Sequence, residues 1–109
     1  MRVPPSDLQQ LEAPIGTAST SQTIDGTERL LDLSSLANYP FQVEVEAQGS
    51  GLLYKQGGST VSLGTTKSRI QADEWRVFTV KDADYAYIAI KQSGSATGYA
   101  VATLLGESA

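Results

Sequence analysis

Cysteine and histidine are both absent from the chain, and those two absences remove more chemistry than any motif present adds. Disulfide staples, a zinc cage built on thiolate or imidazole, a thiol nucleophile and an imidazole base are all excluded. Positive charge is scarce. Eight Lys and Arg stand against twelve Asp and Glu, for a formal net charge of −4 and a pI near 4.6. Nucleic-acid binding needs clustered cations that displace counterions from phosphates, so no nucleic-acid partner is expected. No apolar run approaches the ~20 residues that cross a bilayer as a helix, so no membrane partner is expected either. A basic segment leading into an apolar stretch is missing after Met1, which leaves export by a signal peptide unsupported. What remains is 109 residues with a 40% hydrophobic content, enough for one domain and one modest core.

Proline is sparse too, and its placement divides the chain. Pro4, Pro5 and Pro14 are three of the four prolines, and each removes a backbone donor. Between them Ser6-Asp7-Leu8-Gln9 has the form of a capping box. A helix begun there would have one or two turns before Pro14, too short to stand alone in water. Leu8 and Leu11, three apart, would give it a small apolar face. Residues 1–14 therefore read as an N-terminal arm that lies against something else. Val3, Pro4, Pro5, Leu8 and Leu11 are its candidate protein-contact residues.

The remainder, residues 15–109, reads as a single β domain. Phe41, Val43, Val45 and Ala47 alternate with Gln42, Glu44, Glu46 and Gln48, a period of two that marks a half-buried strand. Gly49-Ser50-Gly51 turns the chain into Leu52–Gln56, and Gly57-Gly58 turns it again toward Thr60–Leu63. Strands are expected at Arg69–Ala72 and Trp75–Val80, divided by the polar pair Asp73-Glu74, then at Tyr85–Gln92 and Tyr99–Leu105. Ile15–Thr23 and Glu28–Leu33 flank Asp25-Gly26, a hairpin signal. Leu30, Leu33, Leu36 and Ala37 allow at most one helical turn before Pro40. Eight or nine short strands with turns every eight to twelve residues imply an antiparallel β-sandwich. The strand count favours a jelly roll, with an immunoglobulin-like Greek key left open. The expected core is Val43, Val45, Ile70, Phe78, Val80, Ile88, Ile90 and Val101.

Without His or Cys, catalysis would fall to carboxylates, tyrosine, Ser with Lys, or a hard metal. Adjacent Asp73 and Glu74 would point to opposite faces of a strand, so a solvated turn is the simpler reading. Asp82-x-Asp84 has the first spacing of a calcium loop but lacks its later glycine and glutamate; a capped turn accounts for it. Gly49-Ser50-Gly51 has Tyr54 where a dinucleotide loop needs its third glycine. No S-x-x-K motif occurs. An enzyme is not expected, no cofactor or metal site is assigned, and no small-molecule ligand is expected. Glu44 and Glu46 share a strand face able to ligate an ion on paper, but read first as solvated and next as paired with Lys91 or Arg69.

The aromatics say more. Tyr85 and Tyr87 fall opposite Ala86, Ile88 and Ile90, so both are candidate outward contact residues. Outward tyrosine implies packing under a loop or arm, a protein contact or a sugar platform. Trp75–Val80 offers apolar residues to both faces, with Trp75 read as core at the rim of the sandwich.

The run Arg69-Ile70-Gln71-Ala72-Asp73-Glu74-Trp75-Arg76-Val77-Phe78-Thr79-Val80, followed by Tyr85-Ala86-Tyr87-Ile88-Ala89-Ile90, resembles small β-sandwich proteins of tailed bacteriophages. With its Gly-rich turns and proline-bearing arm, the chain is similar to phage capsid decoration, or cement, proteins. The resemblance implies a non-enzymatic virion protein on the capsid exterior, made in the host cytoplasm. Its partners would be the major capsid protein and copies of itself, as a dimer or trimer. No catalytic residue carries over, because the family has none. Two other readings stay open: another phage neck or tail protein, and a carbohydrate-binding or adhesin-type module stacking sugars on Tyr85, Tyr87, Tyr99 or Trp75. Such modules are usually joined to an enzyme or fibre, whereas this chain is expected to stand alone.

Overall fold

Alternation dictates the central strand, and the rest of the sandwich is arranged around it. The computed structural model describes residues 18–107, so the arm expected at 1–14, with Val3, Pro4, Pro5, Leu8 and Leu11, lies outside the described residues. The strands are β1 (Ser19–Ile24), β2 (Arg29–Asp32), β3 (Phe41–Gln48), β4 (Leu52–Gly57), β5 (Arg69–Ile70), β6 (Trp75–Val80), β7 (Tyr87–Gln92) and β8 (Gly98–Glu107). A single 3-10 turn, Ala83–Tyr85, precedes β7.

Two four-stranded antiparallel sheets form, in the orders β1-β8-β3-β6 and β2-β7-β4-β5. First strand pairs with last, second with seventh, third with sixth and fourth with fifth. A hairpin ribbon folded over and wrapped round a core produces that order. The fold is therefore a jelly roll, the open choice between sandwiches resolved by topology.

The β3 residues Phe41, Val43, Val45 and Ala47 are buried, while Gln42 and Gln48 are exposed and Glu44 and Glu46 half-buried. The same core holds Ile24, Leu31, Leu33, Leu52, Ile70, Phe78, Val80, Ile88 and Ile90. Phe78 of one sheet meets Tyr54 of the other edge-to-face, with ring centroids 5.2 Å apart and an interplanar angle of 88°. Such pairs add about 0.5–1.5 kcal/mol to the burial of the rings themselves.

Several expectations are corrected. Asp25-Gly26 does not close a hairpin, because β1 and β2 belong to different sheets. Asp25 instead shapes a crossover: its carboxylate accepts the Thr27 amide and the Arg29 side chain, and its carbonyl accepts the Gln92 amide. Thr60–Leu63 is loop, not strand, within the segment joining β4 to β5. Val101 is not core: in β8 it lies level with Ser21 and Glu46 on the outward side, while the small Ala100 and Ala102 turn inward. Trp75 is not core either, with 57% of its surface exposed. Around Leu33–Pro40 there is no helix, only a turn closed by the Leu36 amide on the Leu33 carbonyl.

Candidate interaction faces

Each sheet turns one side to the core and one outward, so register alone states which residues form the two outer faces. On the β1-β8-β3-β6 sheet one outward row runs Trp75, Glu46, Val101, Ser21. The next runs Val77, Glu44, Thr103, Ser19, and on the other side lie Gln48, Tyr99 and Thr23. Trp75, Tyr99 and Val77 are exposed at 57%, 58% and 45%. Leu105 adds another exposed apolar side chain where β8 bulges: Val43 faces Leu104 and Gln42 faces Gly106, leaving Leu105 as the extra residue. Ser and Thr on β1 and β8 complete the face, on which the only charges among the described residues are carboxylates.

The second outer face has a different chemistry. Lys91, Leu53 and Arg69 lie in one row across β7, β4 and β5, and Lys55 is two residues along β4 from Leu53. All three cations are exposed and Leu53 is half-buried. Farther along, the molecule covers this face itself. A Cβ at Gly57, on the same side of β4 as Lys55, would lie 2.7 Å from the Val61 side chain, so the β4–β5 loop folds over the sheet there. Ala89, level with Leu30 and Lys55, is completely buried, and neither it nor Leu63 of the loop belongs to the core cluster. The loop is tied to β4 by the Tyr54 amide on the Ser68 carbonyl, 3.0 Å, and by the Thr66 hydroxyl on the Tyr54 carbonyl, 3.3 Å. The first face has no such cover among the described residues.

The residues expected to share an outward patch do not. Tyr85 ends the 3-10 turn, 41% exposed, while Tyr87 is half-buried in β7 and packs partly against the core. Glu44 and Glu46 do not meet Lys91 or Arg69, which are on the other sheet. The two acidic motifs are turns, as read. Asp73, at φ 65°, accepts the Gly49 amide at 3.2 Å, and Asp82 accepts the Asp84 amide at 2.9 Å. Among the described residues no three carboxylates converge on a point and no pocket opens.

The single ion pair among the described residues joins Asp25 to Arg29 at 2.7 Å, with a second hydrogen bond of 3.1 Å from Arg29 Nε. The hydrogen bond from Arg29, with help from the Thr27 amide, holds the Asp25 carboxyl below its ordinary value, and the carboxylate raises Arg29 in turn. The pair braces the β1–β2 crossover.

Sequence reading missed Leu105, Val101 and the opposed charge of the two faces. Glu44 and Glu46 announce their shared face by alternation, but the cations of β4, β5 and β7 come together only through strand order. No family model, curated protein or solved structure matches the chain.

Proposed function

We propose that this chain is a non-enzymatic structural protein of a virion, a capsid decoration protein that binds the outside of a phage head and stabilises it by bridging capsomers. The observation that carries the reading is the outer β1-β8-β3-β6 face, which no other described segment covers and on which Trp75, Val77, Tyr99 and Leu105 are exposed. Large apolar side chains exposed on one face of a small domain, here on β6 and β8 to either side of the polar β3 row, mark a contact surface. Aromatic residues are the type most enriched at such contacts. Eight-stranded jelly rolls serve as viral capsid domains and also as lectins. Fold alone does not choose between them.

A capsid stabiliser acts by linkage. A protein that binds only the assembled shell stabilises it by an amount set by its free concentration over its dissociation constant. The test is mass spectrometry of purified virions for this chain and its copy number, with a melting titration of particles lacking it. Copies in the hundreds and a rising melting temperature on add-back support the reading. The chain's absence from virions, or a flat titration, overturns it.

A second reading rests on one observation, the placement of Trp75 and Tyr99 on the same face beside Glu46 and Gln48. Flat rings flanked by hydrogen-bonding side chains are also what a sugar platform needs. A glycan array read on the same preparation separates the two, because a decoration protein retains no simple sugar.

A further inference from the structure

The two outer faces carry opposite charge, and we infer that they are the two halves of a head-to-tail contact between copies of this chain. The acidic β3 face of one copy seats on the basic β4-β5-β7 face of the next. The inference does not depend on where the protein is found, and it concerns the purified chain alone.

The charge inventory makes the case. Of the cations on described residues, Arg29 is held by Asp25, Arg76 donates to the Arg69 carbonyl at 2.9 Å, and Lys81 lies 6.0 Å from the Tyr85 ring centroid. The other four are Lys55, Lys67, Arg69 and Lys91. Three of these point outward on one sheet, and Lys67 is in the loop leading to β5; the one carboxylate on that outer side, Asp32 of the edge strand β2, accepts the Ser34 amide and hydroxyl. On the first sheet's outer face there is no Lys or Arg among the described residues, only Glu44 and Glu46. None of the three outward cations or the two glutamates has an ion-pair partner among the described residues.

Glu44 and Glu46 are about 7 Å apart along β3, and Lys55 lies about 7 Å from Leu53 along β4. Lys91 and Arg69, one strand to either side of Leu53, are about 10 Å apart. Each charged set has apolar neighbours, Trp75, Val77 and Val101 on one face and Leu53 on the other.

Electrostatics then chooses the symmetry. A two-fold contact would place acidic face on acidic face, or basic on basic, and like charges in register repel. Bringing unlike faces together is a heterologous contact, which leaves one free face of each sign at the ends and so grows into a ring or a stack. Trp75, the sole tryptophan, sits at the margin of the acidic face and reports on its cover.

The experiment is charge exchange, read by sedimentation velocity and Trp75 emission. The wild-type chain should associate with rising concentration at low salt and dissociate near 1 M salt, where the Debye length is about 3 Å. E44K/E46K, with two basic faces, and K55E/K91E, with two acidic ones, should each be monomeric. Their equimolar mixture should associate, with Trp75 emission shifting to the blue. Two Glu→Lys changes add four positive charges to a formal −4 and bring it to zero, so monomers there do not come from greater self-repulsion. A thermal melt of each variant verifies folding; E44Q/E46Q, expected to weaken association, replaces E44K/E46K should that variant fail it, and K55Q/K91Q replaces K55E/K91E. Wild-type chain that stays monomeric at every concentration reached, or a mixture of variants that does not associate, overturns the inference. Association here with no copies in virions would sink the capsid reading and leave this one standing; the reverse result would do the opposite.

Discussion

Arg76 lays its guanidinium 5.8 Å from the ring centroid of Tyr54, joining the edge of one sheet to the other. Register puts Arg76 opposite Val45, on the core side of β6, and its Nη2 reaches across to the Arg69 carbonyl of β5. An inward-pointing charge on an edge strand deters further strands from adding there. Arg76→Ala should lose about 1 kcal/mol, the size of an exposed cation–π contact with its hydrogen bond. Arg76→Val should keep the stability nearer to wild type but aggregate on concentration. Urea unfolding and light scattering measure both, and a Val variant as soluble as wild type would remove the edge-guarding role.

Phe78 and Val101 form a matched pair of tests for the register. Phe78→Ala should cost about 3–5 kcal/mol, since it empties a core site against Tyr54. Val101→Thr, on the outer face of β8, should change stability by less than about 1 kcal/mol. Equal losses in the two variants would mean that β8 presents the other side to the core.

Much of this architecture was legible in the chain, and the failures have physical causes. Alternation from Phe41 to Gln48 identifies β3 and its faces, because one side is wholly buried and no other register fits. The number of strands and the sandwich class follow from the turns. Asp25-Gly26 misleads because a carboxylate that folds back on Thr27 and Arg29 suits an inter-sheet crossover as well as a hairpin. In β8 the larger Tyr99 and Val101 point out and the alanines point in, so side-chain size predicts the wrong side. Trp75 looks like core by composition, yet it stands on an edge strand, where burial needs a neighbour. The charge of each outer face depends on strand order, which no local pattern encodes.

Gly98 is the tightest point of the β3–β8 pairing. A Cβ there would overlap the Gln48 carbonyl oxygen, a backbone atom that cannot step aside. Gly98→Ala should therefore cost at least about 3 kcal/mol or prevent soluble folding. Gly94→Ala, with open space around it, is the control and should melt within a few degrees of wild type. A Gly98→Ala protein as stable as that control would show that the two strands do not approach this closely.

The Asp25–Arg29 pair predicts a pH dependence with a definite sign. The folded-state pKa of Asp25 is held below 3.8, first by the Arg29 hydrogen bond and then by the Thr27 amide. A depressed carboxyl contributes stability that is present above the unfolded-state pKa and lost as pH falls through the folded one. Wild type should therefore melt above Asp25→Asn at pH 6, and the gap should close as the pH drops below 4. A gap that persists unchanged at pH 2 would assign the effect to something other than the ionised carboxylate.

The outer face of the first sheet can be tested apart from the fold that carries it. Trp75 and Val77 share one side of an edge strand, both exposed, while the alternate residues Phe78 and Val80 hold β6 to the core. Replacing the outward pair with serine, W75S/V77S, removes exposed apolar surface that stabilises little in the free chain. The change in unfolding free energy should stay below about 1 kcal/mol. If this face binds a shell, both side chains become buried on docking, and truncating an aromatic anchor that docking desolvates costs about 2 kcal/mol or more of binding. That is a loss of about thirtyfold in affinity. Add-back titrations of particles lacking the chain should then need about thirtyfold more of the variant to reach the same melting temperature. Tyr85→Ser, on the 3-10 turn that follows β6 and not on the outer face of this sheet, should titrate like wild type. A W75S/V77S protein that titrates like wild type would move the contact to another face.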